Sequence, residues 1–260
     1  MAITLRSRRE IELIRRAGRV VADVLLKLQE IAEPGMSTGQ LDTVAAEMTA
    51  DAGAEALFKG VRSPLAKQAF PACICASINE EVVHGIPSPD VKLKEGDILS
   101  IDFGVRLDGY CGDAAVTIAI GEISEDKRRL MDVTRHVLGM VVAEARPTLK
   151  WSQIAAKMQN YAESAGFSIV RDFVGHGIGK EMHEEPKVPN FVSADLLSDD
   201  IILAKGMVLA VEPMINAGSS GVRTLKNGWI VVTRDGRASA HFEHTIAIVE
   251  NGCEVLTTVV

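Results

Sequence analysis

DILSIDFGVRLDGYCGDAAVTIAI, residues 97–120, is the stretch that decides the fold, because it predicts two long strands joined by a tight turn. Apolar residues alternate with polar or small ones from Ser100 to Leu107, as expected for a strand with one buried face. Asp108-Gly109 is a strong signal for a two-residue hairpin turn. If these two residues form the turn, residues whose numbers sum to 217 face each other across the hairpin.

This hairpin brings two aspartates together. Asp113 falls opposite Gly104 and Asp102 falls opposite Ala115, so the two carboxylates share one face as diagonal neighbours, roughly 7–8 Å apart at Cα. Two like charges inside a sheet are costly unless a cation compensates them. The alternative is that one of the two is a solvent-exposed strand residue, and other parts of the sequence weigh against it.

Three more residues complete a candidate metal site. His176 lies in GHGIG, where small neighbours let the backbone crowd around an imidazole. Glu212 follows the apolar run VLAV, and Glu243 lies in SAHFEHTIAIV. Both acids interrupt segments with the character of buried strands, where an unpaired carboxylate is expensive.

The candidate ligand set is rich in oxygen, with one nitrogen and no sulfur, and comprises Asp102, Asp113, His176, Glu212 and Glu243. Such a set favours Mn²⁺, Fe²⁺, Co²⁺ or Mg²⁺ over a structural zinc site. Four carboxylates exceed what one divalent ion needs, so we expect two ions that share bridging groups. Ion pairs about 3.5–4 Å apart activate a bridging water and polarise a scissile carbonyl. The sequence therefore predicts a hydrolytic metal centre.

Two helices are predicted before the hairpin. Capping-box spacing occurs as S-x-x-E at residues 7–10 and as S-x-x-Q at residues 37–40, and each precedes a segment with helical apolar periodicity. The first helix should end before Pro34, and the second should run to about Gly53. A strand-rich stretch is expected to follow, through roughly residue 120.

The same pattern recurs in the second half of the chain. A charged segment with helical periodicity ends at Pro147, and a shorter one ends at Gly166. The offset between Pro34 and Pro147 is 113 positions, and so is the offset between Gly53 and Gly166. We therefore expect two similar helix–helix–strand halves that join near residue 121. Because no Pro/Ser-rich linker separates them, residues 1–260 should form a single α+β domain with internal pseudo-symmetry.

The overall composition is that of an ordinary globular protein, with 47% hydrophobic and 24% charged residues. The formal net charge of −7 makes nucleic-acid binding by the whole protein unfavourable. Six arginines nevertheless crowd the segment from Arg6 to Arg19. Most charge runs of this kind are solvated helix faces, and the alternative is an anionic partner such as ribosomal RNA.

Targeting signals and disulfides are not predicted. The start, MAITLRSRRE, lacks an apolar stretch of signal-peptide length, and Lys205 interrupts IILAKGMVLAV, the best candidate for a membrane span. The four cysteines include one C-x-C pair but no pair of C-x-x-C clusters. Reduced thiols in a cytoplasmic enzyme are the expected state.

With these residues in place, the chain resembles the short, bacterial type I methionine aminopeptidases from end to end. The likeness rests on five motifs in order: SINEEVVHGIP, the DFG and GDAAVT carboxylate pair, VGHGIG with MHEEP, VEPMIN and HFEHT. It implies the pita-bread fold, in which two pseudo-symmetric halves surround a dinuclear metal site. It also implies removal of the initiator methionine from nascent proteins whose second residue is small and uncharged. The start Met1-Ala2-Ile3 meets that rule, so a mature chain beginning at Ala2 is expected.

The resemblance also assigns roles to the metal ligands. Asp102 would chelate one ion, His176 and Glu212 would bind the other, and Asp113 and Glu243 would bridge the two. Cobalt, manganese, iron or a similar metal would fill both positions.

Further roles implied by the resemblance concern catalysis. His84 would stabilise the tetrahedral intermediate near the scissile nitrogen, and His183 would contact the peptide carbonyl. Glu212 would also carry the proton from the attacking water to the leaving amine. From the residues alone, His84 and His183 are isolated histidines, because neither has H-E-x-x-H spacing. Isolated histidines are typical of ordinary surface or core positions.

A pocket for the methionine side chain is implied as well, lined by Phe70, Cys75, Met182 and Trp229. Bulky, soft and apolar walls suit a thioether. The resemblance further suggests a monovalent cation near Asn79 and Ser239, a transient ribosome contact, no membrane association and a monomeric state.

Several positions depart from the family pattern. Val83 stands where a cysteine usually precedes the histidine, and Met182 stands where an aromatic residue is more common. Pro64 and Lys67 fall where further pocket residues would be expected, and the stretch 191–205 is a few residues longer than in compact members. None of these positions is a candidate metal ligand.

Two other functions are alternatives to this one. X-prolyl dipeptidases resemble this chain in their metal ligands but carry a large extra N-terminal domain, whereas little precedes the first half here. A catalytically inactive relative that binds ribosomes should have lost ligands, and all five are present.

Overall fold

The fold consists of two helix pairs packed on one large antiparallel sheet, with two small sheets beside it. The computed structural model describes residues 3–258. Met1 and Ala2, to which the expectation of N-terminal processing refers, lie outside the described residues. The helices are α1 Arg8–Ile31, α2 Thr38–Asp51, α3 Glu125–Glu144, α4 Trp151–Ser164 and the short α5 Ala194–Ser198.

Fifteen strands are distributed over both halves of the described chain. They are β1 Glu55–Ala56, β2 Cys75–Ile78, β3 Glu81–Val83, β4 Ile98–Leu107, β5 Tyr110–Ala119, β6 Ser168–Ile169, β7 Gly175–Gly177, β8 Glu184–Val188, β9 Val208–Val211, β10 Met214–Asn216, β11 Val222–Thr224, β12 Val231–Thr233, β13 Ser239–His241, β14 Glu243–Val249 and β15 Gly252–Val255.

Both predicted capping boxes are present. The Ser7 hydroxyl accepts from the Glu10 N–H at 3.4 Å, and the Glu10 carboxylate accepts from the Ser7 N–H at 2.8 Å. Ser37 and Gln40 make the equivalent pair of bonds at the start of α2. These reciprocal bonds satisfy N–H groups that the first turn of a helix leaves free, so the local sequence fixes where each helix begins.

The predicted repeat is confirmed. Helix α4 begins and ends 113 positions after α2, and β6 begins and ends 113 positions after β1. Gly53 and Gly166 both have positive φ, +65° and +87°, so each supplies the left-handed backbone that ends its helix. Helix α4 starts without a side-chain cap because Lys150 occupies the N-cap position.

The central sheet joins the two halves. Its nine strands follow the order β1-β4-β5-β14-β9-β7-β8, with β2 paired to β4 and β15 paired to β14. Strand β14 pairs with β5 of the first half and with β9 of the second. The predicted register of the β4–β5 hairpin is confirmed, because Asp102 pairs with Ala115 and Gly104 with Asp113.

Helix α1 packs very closely on β5. A Cβ atom at Gly112 would approach the Gly18 nitrogen to 2.6 Å and the Ala17 carbonyl carbon to 2.9 Å, so only a glycine allows this contact. The apolar face of α1, which includes Ile14, Val21 and Leu28, is fully buried there.

The arginine-rich start is more than a solvated helix face. Arg6 precedes α1, is 9% exposed and forms an ion pair with Glu184, so the prediction of a solvated face is wrong for this residue. Arg15 pairs with Glu12 and Glu254, and Arg16 pairs with Asp108. Within residues 3–258, no helix has the length and apolar character needed to cross a bilayer.

Candidate metal centre and substrate cavity

The site residues proposed from the sequence converge on one cavity of about 140 Å³. Its walls include the five candidate ligands Asp102, Asp113, His176, Glu212 and Glu243, together with His84, His183, Phe70, Cys75, Met182 and Trp229. The hairpin β4–β5 contributes the two aspartates, whereas β7, β9 and β14 contribute the others at or next to their ends. The cavity therefore lies between the two halves of the molecule.

The candidate ligands approach one another closely. One donor atom from each of Asp113, His176 and Glu243 lies within 4.8 Å of the other two. The His176 Nε2 atom is 4.0 Å from Asp113 Oδ2 and 3.6 Å from Glu212 Oε1. These atoms converge on one point, as ligands of a shared cation do.

Several carboxylate oxygens in the cavity lack hydrogen-bond donors. Among the described residues, Asp102 Oδ1, Asp113 Oδ1 and Glu243 Oε1 are buried and have no partner. A buried polar atom normally has one, and an unpaired buried carboxylate is costly. A divalent cation would satisfy these oxygens, so the residues present fit the metal that the sequence predicts.

Electrostatics support the same interpretation. Burial raises the pKa of Asp113 to about 7. It also raises the pKa values of Asp102, Glu212 and Glu243 well above their usual range, and repulsion from Asp113 adds to the effect on each. Four acids that cannot ionise together without help require compensating positive charge, which a bound cation supplies.

His176 is prepared to act as a neutral ligand. Burial, followed by the neighbouring His183, lowers the pKa of His176 to about 4. Its Nδ1 lies 3.0 Å from the Gly177 carbonyl, which can only accept, so Nδ1 donates and the Nε2 lone pair faces the acids. Backbone bonds of this kind fix the tautomer of metal-binding histidines.

The other two histidines lie beside this cluster. The His183 ring centroid is 4.3 Å from that of His176. His84 follows β3 with φ +60°, and its ring makes edge contacts with Phe173 and Trp229 at 5.7 and 6.3 Å between centroids. Burial lowers the pKa of both His84 and His183, so both rings are neutral near pH 7.

An apolar chamber adjoins the acids. Phe70 and Trp229 meet edge to face at 5.2 Å between centroids, and the Trp229 indole donates to the Gln68 carbonyl at 2.9 Å. Cys75 pairs with Asp102 across β2 and β4, which puts the chamber wall directly beside the acids.

The structure adds cavity residues that the sequence did not indicate. Phe58, Val61 and Phe173 line the cavity, together with Val83, whereas Pro64 and Lys67 are not among the lining residues. Residues 58–70 form a largely irregular loop, so no periodicity could show which of its side chains point inwards. Phe173 lies in a short irregular stretch before β7, where again no periodicity shows which side chains point inwards.

Asn79 and Ser239, the residues expected near a monovalent cation, are adjacent. The Ser239 N–H donates to the Asn79 carbonyl at 2.8 Å. The Asn79 side-chain oxygen accepts from the Lys127 ammonium at 2.7 Å, and the Asn79 amide donates to Asp97 at 2.7 Å. An ammonium group of the chain itself is thus already bound at this turn.

Comparisons with known proteins agree with this arrangement. The model of metallopeptidase family M24 matches residues 12–250. A methionine aminopeptidase of Clostridium acetobutylicum is 47% identical over 98% of both chains, and methionine aminopeptidase 1 of Bacillus subtilis is 45% identical over 99% of this chain and 100% of its own. The crystal structure of the methionine aminopeptidase from Thermotoga maritima superposes with a TM-score of 0.93 at 39% identity, covering 99% of this chain and 100% of that one.

More distant relatives share the fold alone. Prolidase from Pyrococcus furiosus superposes with a TM-score of 0.76 at 20% identity, and the match spans 66% of that longer chain. The pita-bread fold implied by the resemblance is therefore confirmed, and the fold and the buried cluster together define a metallopeptidase. The chain belongs to metallopeptidase family M24, and within it to the methionine aminopeptidases.

Proposed function

We propose that the protein removes the initiator methionine from nascent polypeptides whose second residue is small and uncharged. One observation carries the proposal: a single cavity of about 140 Å³ is lined by both apolar side chains and the cluster of acids, with Cys75 of the apolar wall paired to Asp102. A chain terminus that fills the chamber would hold its first peptide bond at the acids. The names of the relatives point to the same reaction.

The metal ligands we propose are Asp102, Asp113, His176, Glu212 and Glu243. Two divalent ions fit a set of four carboxylates, and oxygen-rich donors with one imidazole favour manganese, iron or cobalt. When bound, such ions supply Lewis-acid activation of a water and of the scissile carbonyl.

The chain's own residues move the proton and orient the substrate. The Glu212 carboxylate, which lies in the cavity beside the other acids, would take a proton from water and return it to the departing amine. His84, which lines the cavity beside Trp229, donates to the developing charge near the scissile nitrogen. His183, whose ring centroid lies 4.3 Å from that of His176, orients the peptide carbonyl.

The preference for a methionine followed by a small residue is explained by the space available in the cavity. Phe70, Cys75, Met182 and Trp229 receive the methionine side chain, and a thioether suits such soft walls. His84 and His183 flank the position of the next residue, so a large second side chain would collide with them.

The remaining properties are proposed on the same basis. Residues 1–260 act as one catalytic domain, which the continuous nine-stranded sheet supports. A cytoplasmic, monomeric enzyme with a transient ribosome contact suits a nascent-chain substrate. A monovalent cation near Asn79 and Ser239 remains a prediction from the resemblance.

Peptide hydrolysis by the metal-stripped protein, re-supplied with one divalent metal at a time, tests this function. Met-Ala-x should be cleaved much faster than Met-Lys-x, Leu-Ala-x or an X-Pro dipeptide. Asp113→Asn should lose activity by orders of magnitude while remaining folded, and Asp132→Asn on the exposed face of α3 is its control. Equal rates on Met-Ala-x and Met-Lys-x would refute initiator-methionine specificity, and preference for X-Pro would support the prolidase alternative.

A further inference from the structure

Two of the proposed substrate-contacting residues stand on one short connection. The segment Gly179–Glu184, here called the 179–184 loop, joins β7 to β8 and carries Met182 and His183. Positions 179–183 form bends rather than regular structure, so β-ladder bonds do not fix them, whereas Glu184 is the first residue of β8 and pairs with Gly177. Something else must fix the two side chains that face the cavity.

The Glu184 side chain forms hydrogen bonds within this loop. Its Oε1 accepts hydrogen bonds from the backbone N–H groups of Lys180 at 2.9 Å and Glu181 at 3.1 Å. One carboxylate thus ties the end of the loop to its beginning and sets the path of the two residues between them. Bonds from N–H groups to a carboxylate are stronger than bonds between neutral groups.

Arg6 holds Glu184 in turn. The Arg6 side chain is 6% exposed, and its guanidinium forms a hydrogen-bonded ion pair with Glu184 Oε2. A second acid, Glu10, lies 3.6 Å from the same guanidinium and accepts from the Tyr110 hydroxyl at 3.2 Å. A fork of fixed donors can serve two carboxylates, which a lysine cannot do in the same way.

The surrounding backbone is shaped to admit this arginine. A Cβ atom at Gly179 would overlap the Arg6 guanidinium, so a larger residue at this position would displace the guanidinium from its place. The Arg6 N–H donates to the Gly206 carbonyl at 2.7 Å, and a Cβ at Gly206 would approach the Arg6 carbonyl oxygen to 2.9 Å. Arg6 is therefore packed closely against two glycines and is not exposed on the surface.

The loop makes other contacts with the rest of the protein, but these lie at its start or on its exposed side. Cys111 N–H donates to the Gly179 carbonyl at 2.7 Å, which fixes only the start of the loop. Arg106 contacts the Lys180 carbonyl and Glu181 on the exposed side, where ion pairs contribute little. The contact between Arg6 and Glu184 is the buried one next to His183.

We propose that Arg6 is a positioning residue for the reaction: acting through Glu184, it fixes the 179–184 loop and so the places of His183 and Met182. This inference rests on the function proposed above. A buried ion pair that loses one partner leaves an uncompensated charge, so the carboxylate would turn towards water and release the two N–H groups. Misplacement of a substrate-positioning group by about 1 Å can cost about 100-fold in rate.

The test compares Arg6→Met with Arg15→Met, which also loses two ion pairs of α1 but touches no residue of the loop. We expect kcat/KM on Met-Ala-x to fall about 10- to 100-fold in Arg6→Met, with little change in Arg15→Met. The preference for Met-Ala-x over Leu-Ala-x should shrink as well, because Met182 moves with the loop. Arg6→Lys keeps the charge without the fork and should lie between wild type and Arg6→Met.

Two further measurements separate positioning from general damage. In a His183→Ala background, Arg6→Met should cost little more activity, because the residue through which it acts is already gone. Hydrogen exchange at the Lys180 and Glu181 amides should accelerate in Arg6→Met and in Glu184→Gln, while exchange in the β4–β5 hairpin stays unchanged.

Equal kcat/KM in Arg6→Met and Arg15→Met, or a full additional loss in the His183→Ala background, would overturn the inference. If Arg6→Met does not fold, the kcat/KM values of Arg6→Lys and Glu184→Gln are compared with that of Arg15→Met instead. An inactive wild type would instead count against the proposed function, and the exchange data would then decide the role of Arg6 by themselves.

Discussion

At the scale of single residues, the centre depends on acids that the fold keeps from water and from hydrogen-bond donors alike. The Asp113 backbone is fixed on both sides by Thr245, whose hydroxyl donates to the Asp113 carbonyl at 2.8 Å, yet Asp113 Oδ1 has no partner in the described chain. His241, which is not a candidate ligand, also has a buried Nε2 without a hydrogen-bond partner within residues 3–258, and this atom lies 4.0 Å from Glu243 Oε2. Rigid backbone with free donor atoms is the arrangement that a metal centre requires.

His84→Ala tests a role that belongs to one side chain. The ring sits at the chamber wall against Phe173 and Trp229 and is not one of the close donor atoms around Asp113. We therefore expect kcat to fall by about 100-fold or more with a small change in KM, because an interaction made mainly in the transition state is lost. Metal content, measured by elemental analysis, should equal that of wild type. Loss of metal with normal turnover per bound ion would show that the role is wrong.

Residue-scale prediction from the sequence worked where a pattern constrained the side chain. The strand alternation and the hairpin turn were enough to put Asp102 and Asp113 on one face, and the observed register agrees. Phe58 and Phe173 could not be found in this way, because irregular backbone has no period that assigns a side chain to the cavity. The burial of Arg6 is unpredictable for a related reason, because its partner Glu184 lies 178 positions away in the sequence.

At the scale of elements, helix boundaries were the most predictable feature because their causes are local. Capping side chains and left-handed glycines act within a few residues of the helix ends. Strand pairing in the second half was not predictable, since β14 pairs with β5 and β9 at long sequence separation. No local signal specifies which strand lies beside which.

The contact between α1 and β5 yields a prediction at this scale. Gly112→Ala would drive a methyl group into the Gly18 backbone, so α1 must shift away from the strand that carries Asp113. We expect a loss of about 1–3 kcal/mol in the free energy of unfolding, the usual cost of overpacking, and weaker metal binding. Denaturant titration and metal titration measure the two effects.

Gly139→Ala is the matched control for this substitution. Gly139 lies on the exposed face of α3, and a Cβ there would meet nothing within 4 Å. Alanine at this position should raise stability by about 0.5–1 kcal/mol, because glycine is the poorer helix former. If both variants changed stability in the same direction, close packing would not be the reason for glycine at position 112.

At the scale of the whole molecule, the candidate ligands lie on both sides of the pseudo-symmetry. Asp102 and Asp113 come from the first half, whereas His176, Glu212 and Glu243 come from the second. The acids correspond in position: Asp102 on β4 and Glu212 just after β9 flank the strand pair β5–β14, which carries Asp113 and Glu243. A bound cation would therefore hold the halves together as well as serve the reaction.

Metal removal should consequently lower stability, and the loss should depend on pH. Burial raises the pKa of Asp113 to about 7, so the metal-free folded protein holds protons that the unfolded chain has released. The contribution of Asp113 to its stability should therefore be lost as pH rises from about 4 to about 7. Above about pH 7 the histidines are mostly neutral in both states, and stability should fall further because burial raises the pKa values of Asp102, Glu212 and Glu243 well above their usual range. Metal binding requires ionised carboxylates, so it should release protons and stabilise more strongly at pH 8 than at pH 6. At a metal concentration one hundred times Kd the gain is about 2.7 kcal/mol. Thermal unfolding with and without metal measures the stabilisation, and calorimetric titration in buffers of different ionisation enthalpy measures the release of protons. Equal stabilisation at both pH values without proton release would contradict the presence of protonated acids at the centre.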